Sequence, residues 1–307
     1  MECRFGKELL RMARQLTLIE PLQIGFEFAL TALADMHRPQ LFEPPLRPPL
    51  KWAGGKRWQA PLIEPLWRTH ESERMVELFC GGLAIALSLR PKRALLNDIN
   101  IHLVNFYRQI QCGLKLNFKP ENDEKAYYKA RERFNKLITS CGRETPEAAE
   151  LFYYLNRTGY NGLCRFSRKG NYNVPFGRYK TINYLKDFAE YKEVLSAWEF
   201  TAKPYLSVPL RPDDFIYADP PYDVEFRQYS DTGFEWEDQV KLAMHLSHHP
   251  GPVVLVNQAT DRILKLYKGL GYRVETALAP RRISCTGDRT AALEVIATRN
   301  IGAKVLQ

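Results

Sequence analysis

The sequence predicts an α/β protein: a mostly parallel sheet with an antiparallel pair at its edge and a helical segment inserted into it. Short apolar runs alternate with helical stretches in two blocks, one early in the chain and one late. Strand, turn, helix, strand, helix is the order from which parallel sheets are built. The last two apolar runs have no helix between them, which suits antiparallel neighbours. Residues 116–204, between the two blocks, lack this alternation.

Residues 1–45 read as an N-terminal extension, with short amphipathic helices expected over 5–14 and 24–34. It closes in a Pro-rich run, Pro39, Pro44, Pro45, Pro48 and Pro49, which predicts an extended linker. The first alternating block, within residues 46–115, places strands at 75–79 and 94–97 and helices at 83–90 and 101–114. The second, within 205–307, places strands at 215–218 and 253–256 and helices at 235–248 and 261–270. Runs at 272–278 and 293–298 then form the antiparallel pair. In the middle segment, 124–140 and 146–156 read as helices with mixed charges on their outer faces. A polar, Gly-rich, aromatic stretch follows to residue 180. Arg168-Lys169-Gly170-Asn171, between Phe166 and Tyr172, reads as a hairpin turn.

Composition bounds the function. The 307 residues carry a net charge of +9, and 45 % are hydrophobic. A chain of this length and apolar content buries a substantial core, which excludes a disordered or collagen-like protein. The excess of basic charge fits a polyanionic partner. The most apolar N-terminal stretch, 16–34, is interrupted by Glu20, Pro21 and Glu27, so it does not read as a membrane span or a secretory signal. Six scattered cysteines, with no Cys-x-x-Cys pair and no zinc-ligand spacing, point to reduced thiols in the cytoplasm and to no metal site.

Four segments carry chemistry. Asp219-Pro220-Pro221-Tyr222 follows directly on an apolar run, at the strand end where ligands of open α/β sheets bind. The prolines fix the backbone and supply carbonyls with no amide hydrogen of their own. A carboxylate, a rigid carbonyl and an aromatic ring together suit an exocyclic amine on a stacked base; alone, they also fit a tight turn. The run ending in Glu77, Phe79 and Gly81-Gly82 is a glycine turn after a strand, and Asp98 lies 21 residues after Glu77, where an acid accepts ribose hydroxyls. A plain strand–helix turn with a helix cap at Asp98 or Asn100 fits these residues equally. Lys51-Trp52-Ala53-Gly54-Gly55-Lys56 lacks the spacing and the Ser/Thr of an ATP-binding P-loop. Finally, residues 155–180 hold Arg157, Arg165, Arg168, Lys169, Arg178 and Lys180 with no acid, interleaved with aromatics. That composition offers phosphate contacts, base-edge bonds and stacking.

In this order the four segments resemble the D12-class bacterial DNA adenine-N6 methyltransferases, the Dam family, over about residues 49–300. The shared signatures are the Lys51–Lys56 segment, the Tyr154-Leu155-Asn156-Arg157…Gly159-Tyr160-Asn161-Gly162-Leu163-Cys164-Arg165 stretch, Asn173-Val174-Pro175-Phe176-Gly177-Arg178-Tyr179, and Asp219–Tyr222. The resemblance implies a Rossmann-like, S-adenosylmethionine-dependent methyltransferase sheet (46–115 and 205–307) carrying an inserted helical DNA-recognition domain with a β-hairpin (116–204). It implies Trp52, Lys56, Glu77, Phe79, Gly81, Asp98 and Asp219 as cofactor-binding residues and Asp219, Pro220, Pro221 and Tyr222 as the catalytic tetrapeptide. Lys51, Tyr160, Asn161, Leu163, Arg165, Pro175 and Arg178 match its DNA-contacting positions, which implies GATC as the target, with Arg165 reading a guanine. Residues 281–289 resemble its basic loop, expected to hold DNA backbone. One departure stands at the cofactor turn, where Leu83 occupies the position of the family's last glycine.

The expected reaction is methyl transfer by direct displacement onto a flipped adenine of double-stranded DNA. The expected protein is a bacterial, cytoplasmic, nucleoid-associated monomer, alone or with a companion restriction nuclease. A cytosine-N4 methyltransferase is the rival enzyme, although those usually carry Ser in place of Asp219. A DNA-binding protein with impaired catalysis is the rival of a different class.

Overall fold

The computed structural model describes residues 46–71, 73–185, 187–223, 233–280 and 292–302. The helices expected within the first 45 residues, the start of the Pro-rich run and the basic stretch 281–289 lie outside the described residues. Seven strands form one sheet: β1 (Met75–Glu77), β2 (Ala94–Asn97), β3 (Trp198–Thr201), β4 (Phe215–Ala218), β5 (Val253–Gln258), β6 (Arg273–Ala279) and β7 (Ala292–Arg299). Their order is β3-β2-β1-β4-β5-β7-β6. The first five run parallel, and β7 lies antiparallel between β5 and β6.

Strand burial follows from sequence. β1, β2 and β4 are buried along their whole length, and apart from Glu77 and Asn97, which end β1 and β2, their residues are apolar or aromatic, as expected of strands covered on both faces. The central cluster includes Val76, Leu95, Ile216, Leu255 and Val295, with Leu242 and Leu246 of α7 (Trp236–Ser247) and Ile263 of α8 (Asp261–Gly269) packed on it. Helix α1 (Ala60–Arg68) sends Trp67 edge-on to Phe215, with ring centroids 5.2 Å apart. At the amino ends of β1 and β4, Arg74 Nε and Nη2 donate to the fully buried Asp214 carboxylate at 2.8 and 2.7 Å.

Helix α3 (Ile101–Gln111) follows β2, capped by Asn100, whose side chain accepts from the His102 and Leu103 amides. The middle segment contributes α4 (Glu124–Ile138), α5 (Pro146–Thr158) and α6 (Ala189–Leu195). Asp123 and Thr145 cap α4 and α5, and Pro146 opens α5, where its missing amide costs nothing. Aromatic rings join these helices to the sheet layer: Phe106 of α3 stacks on Tyr153 of α5, and Phe188 meets both edge-on. The described residues between 46 and 301 belong to one compact unit.

Two expectations are corrected. The helix expected over 83–90 is a single turn, α2 (Ala86–Leu89), because Leu83 adopts φ 61° and no side chain caps the turn. The sequence predicts that the inserted segment runs to residue 204, whereas Trp198–Thr201 is the sheet's edge strand, paired with β2. Its four residues alternate buried and exposed, a signal too short to stand out beside the preceding helix. The predicted hairpin forms as a tight turn with single bridges, Phe166 to Tyr172 and Gly159 to Phe176. Gly170, at φ 77°, supplies the left-handed turn position.

Candidate active site

Strand order reverses between β1 and β4. β1 pairs with β2 on one side and β4 on the other, which opens a crevice at the carboxyl ends of the strands. Three of the predicted acids converge there: Glu77 ends β1, Asp98 follows β2, and Asp219 follows β4.

Lys56 reaches the same place from the first motif. Its Nζ donates to the Gly54 carbonyl at 2.8 Å, lies 3.4 Å from Asp219 Oδ1, and sits 4.4 Å from the Tyr222 ring centroid. Glu294 of β7, which sequence reasoning missed, lies 3.8 Å from the same ammonium. Gln59, also missed, donates to Glu294 Oε2 at 2.7 Å and accepts from the Tyr217 hydroxyl at 2.8 Å. The available signal was an acid inside an apolar strand, Leu293-Glu294-Val295, where a buried charge requires a partner.

Three buried polar atoms in the crevice have no hydrogen-bond partner among the described residues: Asp219 Oδ1, Glu77 Oε1 and the Tyr222 hydroxyl. Burial shapes their acidity. It pushes the Asp219 carboxyl up to about 6, opposed by Lys56 and reinforced by the charge of Glu294. It pushes Glu77 up to about 8, opposed by the Ala86 amide and reinforced by Asp219. The Tyr222 hydroxyl is raised by the same causes, burial first and then Asp219 and Glu294.

Trp52 covers the glycine turn. A Cβ at Gly81 would lie 2.7 Å from the indole Nε1, and one at Gly82 would lie 2.9 Å from Trp52 Cβ, so the close approach requires both glycines. Asp98 accepts from the Gly81 amide at 3.1 Å and from the Asn100 amide at 2.9 Å, and burial raises its pKa. The Phe79 ring packs between Tyr205 and Phe234, each 5.7 Å away. Leu83, fully buried, takes the left-handed conformation that a glycine would adopt without strain.

The basic segment is tied to this crevice through Lys51. The Lys51 amide donates to Asn156 Oδ1, and Asn156 Nδ2 donates back to the Lys51 carbonyl, both at 2.8 Å. Its Nζ donates to the Arg157 carbonyl at 2.7 Å and lies 3.5 Å from the Tyr179 ring centroid. Burial and Arg157 lower its pKa to about 8. Tyr160 and Asn161 form a short turn with Leu163, and the Tyr160 side chain is 47 % exposed. The Tyr160 amide donates to the Pro175 carbonyl at 2.9 Å, which brings those two predicted positions together. Arg165 is exposed and donates from Nε to Asn173 Oδ1 at 2.8 Å. Arg178, at φ 50°, lies 3.5 Å from Glu124. A second link runs from Asn100 Nδ2 to Cys164 Sγ at 3.2 Å.

Residues 52–280 match the family model for D12 class N6 adenine-specific DNA methyltransferases. The retron Ec67 DNA adenine methylase of Escherichia coli is 32 % identical over 81 % of this chain and 90 % of its own length. The DNA adenine methylase of Vibrio cholerae is 34 % identical over 78 % of this chain and 90 % of its own. The DNA N-6-adenine-methyltransferase of Escherichia phage P1 is 33 % identical over 78 % of this chain, which spans a third of that protein's length. The chain therefore belongs to the D12 class of N6 adenine-specific DNA methyltransferases.

Proposed function

We propose that this chain methylates N6 of adenine in double-stranded DNA, within GATC, with S-adenosylmethionine as donor. The observation that carries the reading is the Asp219–Tyr222 tetrapeptide at the sheet's switch point, where the buried Asp219 Oδ1 has the Lys56 ammonium 3.4 Å away but accepts no hydrogen bond, and the Tyr222 hydroxyl has no hydrogen-bond partner among the described residues. The cofactor's fit rests on a cluster of acceptors, Glu77 Oε1 unsatisfied and Asp98 beside the Trp52-covered glycine turn, which suits a cation bearing ribose hydroxyls. Trp52, Lys56, Glu77, Phe79, Gly81, Asp98 and Asp219 would hold it. When bound, it supplies an electrophilic methyl group.

The protein's own part is positioning and electrostatics. A flipped adenine stacks on the Tyr222 ring, and its amine hydrogens go to the Asp219 carboxylate and the Pro220 carbonyl. No donor reaches the Pro220 carbonyl among the described residues, whereas the Pro221 carbonyl already accepts from Gln239. Asp219 accepts most strongly when ionised, and Lys56 favours that form. Residues 116–197 serve as the recognition segment, with β3 left to the catalytic sheet. Lys51, Tyr160, Asn161, Leu163, Arg165, Pro175 and Arg178 meet the duplex, Arg165 reading a guanine edge. The reading implies a monomer acting on nucleoid DNA in a bacterial cytoplasm, with or without a companion nuclease.

The test uses two nucleases that cut GATC with opposite responses to adenine methylation. Treated DNA should become resistant to one and sensitive to the other, and unchanged digestion rejects GATC as the target. Asp219→Ala should abolish transfer while duplex affinity survives.

A further inference from the structure

Gln239 of α7 and Asn257 of β5 are polar side chains in the apolar core, 2 % and 0 % exposed. Burying two amides there costs several kcal/mol unless their hydrogen bonds are met. They are met by the turn that carries Tyr222. Gln239 Nε2 donates to the Pro221 carbonyl at 2.7 Å, and Asn257 Oδ1 accepts from the Asp223 amide at 3.1 Å. Asn257 Nδ2 donates to Gln239 Oε1 at 2.9 Å and joins the two. Asn257 Oδ1 also accepts from the Gln258 amide at 2.8 Å, which fixes the orientation of its side chain.

We propose that Gln239 and Asn257 form an amide clamp that grips the backbone immediately before and after Tyr222 and so sets the plane of its ring. The reasoning is local. Pro220 and Pro221 have no amide hydrogens, so this turn has few handles by which the fold can hold it. The clamp takes the carbonyl on one side of Tyr222 and the amide on the other. The Asp223 side chain extends the grip to α8 through Arg262 and through the Thr260 hydroxyl at 3.2 Å. Neither amide reaches Tyr222 itself, so both are positioning residues. Their kinetic consequence rests on the methyl-transfer reading; their effect on ring order does not.

Two variants test the clamp. Gln239→Met keeps the volume and removes the donor to Pro221. Asn257→Asp keeps the acceptor for the Asp223 amide and removes the link to Gln239. 3-Fluorotyrosine placed at position 222 reports ring order by ¹⁹F NMR in the full chain, whether or not DNA is methylated. The expected result is one narrow resonance in the parent protein and a broadened or split one in Gln239→Met, with a smaller change in Asn257→Asp. On DNA, Gln239→Met should lower kcat at least tenfold while KM for S-adenosylmethionine stays within threefold. Unchanged ¹⁹F spectra in both variants, or kcat within twofold of the parent, would overturn the clamp. A parent protein that fails to methylate DNA defeats the functional reading and leaves the ¹⁹F result to decide the clamp.

Discussion

Removing the Lys56 ammonium should shift the acid limb of the pH–rate profile upward. In the proposed mechanism Asp219 accepts an amine hydrogen, which it does most strongly when ionised, and burial holds its pKa near 6. For a group at that pKa, about one-tenth is ionised at pH 5 and about nine-tenths at pH 7. The limb in kcat/KM, which reports the free enzyme, should therefore have its midpoint near pH 6. Lys56 Nζ lies 3.4 Å from Asp219 Oδ1, with side chains 7 % and 19 % exposed. Coulomb's law at that distance gives about 1 kcal/mol in a water-like dielectric and about 5 kcal/mol at an effective dielectric near 20. At about 1.4 kcal/mol per pKa unit these limits are about one and about three and a half units, so Lys56→Met should raise the midpoint by an amount between them, about two units. Glu294→Gln removes a like charge that pushes Asp219 up, so it should move the midpoint down. The assay is initial methyl transfer to DNA from pH 5 to 9 under subsaturating conditions. A limb that stays fixed in Lys56→Met, or moves the same way in both variants, refutes this assignment of Asp219.

Other consequences are equally direct. Glu77 titrates near 4.5 when unfolded and near 8 when folded, so the folded state binds the extra proton and stability falls as pH rises between the two. The loss is about 4 kcal/mol by pH 8, and Glu77→Gln should flatten the pH dependence of urea unfolding across that window. Asp214→Ala removes the carboxylate that pairs with the Arg74 guanidinium at the amino ends of β1 and β4 and should cost about 3–5 kcal/mol in urea unfolding, because a buried charge loses its main partner. Arg165→Ala should cost about 1–3 kcal/mol of discrimination at one guanine, read by comparing methylation of GATC with single-substituted sites.

The parallel core was legible because β1, β2 and β4 are buried on both faces, which leaves apolar runs broken only at their ends by Glu77 and Asn97. Glu77, Asp98 and Asp219 were legible as acids at the carboxyl ends of strands because each ends or follows such a run. β3 was not, since four alternating residues carry little periodic signal. Glu294 was not, because its partner Gln59 is 235 residues away and only the fold joins them. Gln239 and Asn257 read as unremarkable polar residues of a helix and a strand until the tetrapeptide turn is placed between them. Leu83 was visible as a departure, but its φ of 61° and its shortening of α2 appear only in the backbone.

The most direct measurement is mass spectrometry of nucleosides from duplex DNA incubated with the protein and methyl-labelled S-adenosylmethionine. Label in N6-methyladenine, lost in Asp219→Ala, is the predicted result. Label in N4-methylcytosine, or no label in DNA that the protein binds, would contradict it.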